Sequence, residues 1–134
     1  MKLELFRYEN NKTYDISEEL DVSKFSFPNN YKILKIDHCL VNLKVTRFDL
    51  LSRVRVHLEG SLTAICSRSG KPFEFKFKTN EEMSFSNNEN DVASYYEPND
   101  VIDLDPYLIG IIDNLVPINV IKPGGDKPTD RNGY

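Results

Sequence analysis

The chain has 134 residues, with 17 Lys/Arg against 21 Asp/Glu and a formal net charge of −4. That length suits one domain around one core, and two cysteines are too few for a disulfide framework. No apolar run approaches a membrane span and the first residues lack the apolar centre of a secretory signal, so a soluble, cytoplasmic protein without a membrane partner is expected.

In chain order, Lys2–Tyr8 alternates loosely and reads as a first strand. Asp15 followed three residues later by Glu18 matches a capping-box pattern and predicts at most a short helix or turn. Pro28 and its neighbouring asparagines mark a loop. From residue 33 a β meander is expected. Leu34 and Ile36 share one parity and Val41, Leu43 and Val45 the other, which a bulge near His38–Cys39 would reconcile. Asp49 weakly marks the next turn. Along 53–66, Val54, Val56, Leu58, Leu62, Ala64 and Cys66 share one parity. Arg53, Arg55, His57, Glu59, Ser61 and Thr63 share the other, so one face is buried and one is wet. Gly60 predicts a kink that curves the strand. Gly70 and Pro72 mark a turn. Phe73, Phe75 and Phe77 then face inward, with Glu74, Lys76 and Lys78 outward, and Glu81–Ser86 extends the strand past a bulge. The acidic, Asn-rich stretch 87–100 reads as a loop and Val101–Leu104 as a short strand. Asp105 reads as an N-cap with Pro106 first in the helix. Tyr107, Leu108, Ile111, Ile112 and Leu115 then form a helical stripe, which Pro117 ends. The expected fold is α+β and β-rich: a curved antiparallel sheet or barrel-like meander with a short C-terminal helix. Residues 1–121 form the domain, and the Gly/Pro-rich residues 122–134 form a loose tail.

Chemistry is sparse. Cys66 falls on the buried parity with no histidine near it in sequence, and His57 points to the opposite face. A packed small hydrophobe therefore outweighs a nucleophile. His38 and Cys39 are strand neighbours and point opposite ways. Ser69 stands three residues after Cys66 where a zinc knuckle would need a ligand, and no CxxC exists. Asp103 and Asp105 form a D-x-D pair without a phosphate-binding loop, so capping outweighs metal or acid–base work. These groups predict no metal and no cofactor, and none of them stands out as a catalytic residue.

The charge distribution is more informative. Residues 31–80 hold ten Lys/Arg and four Asp/Glu, whereas 81–121 hold nine acids and no Lys/Arg. Polyanion binding depends on a local patch, although solvated faces would produce the same asymmetry. Arg53 and Arg55 on one strand, Lys76 and Lys78 on the next, and Arg68 and Lys71 in the turn between them would form one connected surface able to neutralise phosphates. With the phenylalanines turned inward, stacking aromatics are missing from that face, which favours recognition of shape and backbone. Nucleic-acid binding, binding of a protein or small molecule, and an enzyme all stay open on the residues alone.

The stretch "VHLEGSLTAICSRSGKPFEF" resembles the bacterial DUF177/YceD family, described as large-ribosomal-RNA-subunit accumulation proteins. Its members show a Gly-containing strand leading into C-x-R-C, a short turn and another strand. "DVIDLDPYLIGIIDNLVPINV" resembles the family's later acidic segment, short helix and Pro-apolar exit, and the likeness spans roughly 1–121. Cys66 and Arg68 match the motif, while Ser69 replaces its second Cys and the later Cys pair of many relatives is absent. The resemblance implies a non-enzymatic ribosome-biogenesis factor that supports 23S rRNA accumulation by contacting rRNA or an assembly intermediate. Arg53, Arg55, Arg68, Lys71, Lys76 and Lys78 are the candidate RNA contacts, and Arg68 is favoured by motif and turn alike. The rival is an adaptor whose acidic 81–121 region engages a ribosomal or assembly protein.

Overall fold

The structure, a computed structural model, describes residues 1–28, 30–91, 93–117 and 120–121; the tail expected at 122–134 lies outside the described residues. Strands β1 (Lys2–Glu4), β2 (Thr13–Glu19), β3 (Ile33–Phe48), β4 (Leu51–Ile65), β5 (Pro72–Ser86), β6 (Tyr95–Tyr96) and β7 (Val101–Asp103) precede helix α1 (Asp105–Leu115). Five strands form one curved, open sheet in the order β2-β3-β4-β5-β6, and β1 pairs with β7 beside it. All pairings are antiparallel except β5 with β6, so the large sheet is mixed.

Long alternating runs produce the three long strands. Val54, Val56, Leu58, Leu62 and Ala64 are all at most 1 % exposed on one face of β4. They stand opposite Val45, Leu43, Val41, Ile36 and Ile33 of β3. On the other side they meet Met83, Phe75 and Phe73 of β5, with Glu81 and Thr79 opposite Val56 and Leu58. Leu108 and Ile112 of α1 are fully buried in the same core, and each such side chain contributes about 1.5–3 kcal/mol by leaving water. Tyr107 stands edge-on to Phe85 at 5.1 Å, which seats the helix on the inner face of the sheet.

Two register shifts in β3, at Ile33/Lys35 and Ile36/His38, turn Ile33, Ile36 and Cys39 inward ahead of Val41, whereas Leu34, expected to share the parity of Ile36, is 51 % exposed. Gly60 lies opposite this irregular stretch. A Cβ there would run into the His38 carbonyl and stand 2.9 Å from the Cys39 Cα, so the glycine permits a close backbone approach. In the turns, Asp49 has φ 50° and Gly70 φ 73°, the left-handed region that both residue types tolerate.

Several expectations change. Residues 13–19 form a strand, not a helix start. Tyr14 and Ile16 lie half-buried on the inner face and Asp15 and Ser17 on the outer, so cross-strand pairing overrides the local capping signal. The capping carboxylate of that region is Asp21, which accepts from the Ser23 N–H at 3.1 Å and starts a single 3-10 turn. The first strand stops at Glu4 because the chain turns into another 3-10 segment, burying Leu5. β5 runs to Ser86 in unbroken register with β4, without the expected bulge. Asp105 is not the cap but the first helical residue. The Asp103 carboxylate accepts its N–H at 3.1 Å, while Asp105 itself accepts from the Met1 amine at 2.6 Å.

Candidate nucleic-acid interface

The strand registers lay out the outer face in rows. From the turn at 49–50 upward they read Thr13–Thr46–Arg53–Ser84, then Asp15–Lys44–Arg55–Glu82, Ser17–Asn42–His57–Asn80 and Glu19–Leu40–Glu59–Lys78. Beyond them lie His38–Ser61–Lys76 and Lys35–Thr63–Glu74. Arg53, Arg55, Lys76 and Lys78 therefore do share one solvent-facing surface. Arg68 and Lys71 stand in the 66–71 turn, which the Gly70 N–H closes onto the Cys66 carbonyl at 2.8 Å. Arg68 is engaged within the molecule.

The surface is not one continuous positive field. Lys35, Lys44, Arg53, Arg55, Lys76 and Lys78 are matched on the same face by Asp15, Glu19, Asp37, Glu59, Glu74 and Glu82. Lys44 bonds Asp15 at 2.7 Å. That contact, followed by a hydrogen bond from Asn42, lowers the Asp15 pKa below the usual carboxylate range. Arg55 lies 3.5 Å from Glu82 and Lys35 lies 3.7 Å from Asp37. The cations also fall into two groups. Arg53, Arg55 and Lys44 lie near the 49–50 turn. Lys76 and Lys78 lie toward the opposite turn, about 13 Å further along the strands at four residues of 3.3 Å each.

Among the described residues, the first group lines concave surface. A hollow of about 270 Å³ is lined by Thr13, Lys44, Thr46, Phe48, Arg53, Arg55 and Glu82. A second, of about 440 Å³, shares Lys44, Arg55 and Glu82 with it and continues to Asn42, His57 and Asn80. Phe48 corrects the expectation that aromatics are missing from this face. It is 40 % exposed, and the Arg53 guanidinium lies 5.8 Å from its ring centroid. Sequence reasoning also passed over Lys44. Both residues were legible, because Lys44, Thr46 and Phe48 alternate with the buried Leu43 and Val45.

Among the described residues, the thiols and imidazoles weighed for catalysis lie on opposite faces of the sheet. Cys66 is 4 % exposed and Cys39 fully buried, and burial pushes the Cys39 thiol up to about 11, far from a neutral-pH thiolate. His57 sits on the outer face, bonded through Nδ1 to the Asn80 side-chain oxygen at 2.8 Å and through Nε2 to Glu59 at 3.3 Å. Among the described residues no group of three or more His, Cys, Asp or Glu could hold a metal, and no helix is long and apolar enough to cross a membrane.

Six of the nine acids in 81–121 have a partner within the molecule, yet none of them is buried. Glu82 faces Arg55, Glu97 accepts from the Tyr107 hydroxyl at 2.7 Å, and Asp100 meets Arg47 at 3.4 Å. Asp91, Asp103 and Asp105 take backbone or terminal N–H groups. In comparisons with known proteins, no family model, no curated protein and no solved structure matches the chain.

Proposed function

We propose that the protein is a non-enzymatic ribosome-biogenesis factor that supports accumulation of large-subunit 23S rRNA, and that it contacts rRNA or a ribosomal assembly intermediate through the outer face of its sheet. The carrying observation is the grouping of Lys44, Arg53 and Arg55 around hollows on a face that the core does not use. Guanidinium and ammonium groups held on a rigid strand pair are suited to phosphates. Lys76, Lys78, Lys71 and Arg68 form a second group toward the far turn, whose charge adds diffuse attraction for the RNA. The likeness of "AICSRSGKPFEF" to the rRNA-accumulation family supplies the biological context.

A salt titration of binding to a 23S rRNA fragment tests this. If three phosphates are neutralised, log K should fall against log[salt] with a slope of about −2, at roughly −0.7 per single-strand phosphate. Crosslinking in cells should recover an rRNA segment attached to the protein. Recovery of a ribosomal or assembly protein alone, with no RNA binding at low salt, would refute the proposal in favour of an adaptor.

A further inference from the structure

We propose that the trough beside the 49–50 turn holds a single-stranded segment of RNA, with one base stacked on Phe48 and the backbone held by Lys44, Arg53 and Arg55. This rests on the RNA-binding reading and specifies the form of RNA taken. Three observations carry it.

Phe48 is an aromatic ring exposed on a polar face, outside the core parity of β3, with a guanidinium beside it. A base entering there stacks between or against these two planes, which tolerate any base identity. Its hollow, about 270 Å³, matches one nucleoside and not a duplex. The adjoining hollow of about 440 Å³ offers the Asn42 side-chain oxygen and the Asn80 NH2 group to the edge of a splayed base, while Asn42 Nδ2 is held by Asp15 and Ser17 and both His57 nitrogens by Asn80 Oδ1 and Glu59. Arg53 and Arg55 are two residues apart on one strand, about 7 Å, a spacing that successive phosphates of an extended strand can follow.

The charge pattern argues in the same direction. A duplex laid on this face would cross carboxylates as numerous as the cations, and the repulsion would cancel much of the gain from counterion release. A single strand is flexible enough to set its phosphates at the three cations and its bases in the hollows. A third hollow, lined by Arg53, Glu82, Met83, Ser84, Ala93, Ser94 and Tyr95, extends the path toward the β6 edge.

The test compares a fluorescently labelled ten-nucleotide oligouridine with a blunt RNA duplex and with a structured 23S rRNA fragment, all at one low salt concentration. The proteins are the full chain and its Phe48→Ala, Phe48→Tyr and Arg53→Gln variants, each checked for an unchanged thermal transition. The oligouridine should bind at least tenfold tighter than the duplex. Phe48→Ala should weaken it roughly 5- to 100-fold, the effect of losing one aromatic–base stack, and Phe48→Tyr should restore most of that. Equal binding of strand and duplex, or an oligouridine affinity unmoved by Phe48→Ala, overturns the inference while the fragment's binding keeps the RNA reading alive. Failure of the fragment itself to bind overturns that reading and the inference with it.

Discussion

Near the 49–50 turn, the outer face of the sheet leaves an aromatic ring uncovered, keeps three cations around open hollows and presents amide side chains to solvent. Near the 66–71 turn, the same β3, β4 and β5 strands are drawn together instead. Ser61 is 2 % exposed although it lies on the outer parity, the His38 carbonyl approaches Gly60, and the Asp37 carboxylate accepts from the Thr63 hydroxyl of the neighbouring strand and pairs with Lys35 of its own. Both ends carry cations of the same hairpin, so charge does not distinguish them. What differs is the surroundings of those cations: hollows and an exposed ring at the 49–50 end, a close backbone approach and a buried serine toward the other. The first is the more open end and the second the more closely packed.

The largest effect should come from disturbing the closed end. Gly60→Ala puts a methyl group against backbone that cannot give way as a flexible side chain would, and should cost about 2–4 kcal/mol. Urea denaturation measures this. RNA affinity per folded molecule should stay unchanged, because the trough lies on other rows. Loss of RNA affinity in protein that is still fully folded would erase the distinction between the ends.

Next comes a paired experiment on the cations. Arg53→Gln with Arg55→Gln should lower RNA affinity about 10- to 100-fold and flatten the salt slope by about 1.4, two contacts at roughly 0.7 each. Lys76→Gln with Lys78→Gln, the same change in formal charge, should lower affinity by less than about fivefold. That remainder is the diffuse attraction of a charge that holds no phosphate in place. Stability should barely move in either double variant, since exposed ion pairs such as Arg55–Glu82 contribute little. Equal losses would mean that net charge governs binding and that the hollows are incidental.

The closed end was easier to read from the residues than the open one. Period-two burial along β4 follows directly from apolar spacing. In β3 the shift was foreseen, but not that it turns Ile33 in and Leu34 out. Gly60 signalled a local irregularity without revealing that the cause is the opposing bulge. The strand at 13–19 was missed because "DISEELD" carries a local helix-start signal, whereas its pairing with β3 is a contact across about 30 residues that no local window contains. The trough was legible only in part. Parity places Arg53, Arg55, Lys44 and Phe48 on one face, but cross-strand register alone reveals that Asp15 and Glu82 lie next to those cations. Phe48 was hidden by its place at a turn, where an aromatic is usually assigned to packing.

A smaller effect sharpens the account of how the open end is buttressed. Tyr107 packs against Phe85 and Tyr95 and donates its hydroxyl to Glu97, so the 95–97 segment is held beside the trough. Burial, reinforced by Glu97, pushes the Tyr107 pKa up to about 12, against about 10 for an unfolded tyrosine. The folded chain thus keeps its proton where the unfolded chain releases one. The resulting stability is complete below pH 10 and lost progressively between 10 and 12. Tyr107→Phe should be somewhat less stable at neutral pH and show a shallower decline of Tm across pH 9.5–11.5. A decline as steep as that of the unaltered protein would show that other groups dominate alkaline unfolding.

The smallest predicted effect belongs to the closed end and has the opposite sign. The Ser61 hydroxyl is buried and has no hydrogen-bond partner among the described residues, so folding strips it of water without replacement. Removing such an orphan relieves a desolvation penalty, and the small void left by one oxygen takes part of the gain back. Ser61→Ala should therefore raise stability by up to about 1 kcal/mol, visible as a Tm increase of a few degrees for a chain of this size. A clear fall in Tm would mean that the hydroxyl is held by a bond of its own, and that this end of the sheet is fastened by polar contacts as well as by close backbone approach. No change in RNA affinity is expected either way, since Ser61 lies beyond the rows that line the trough.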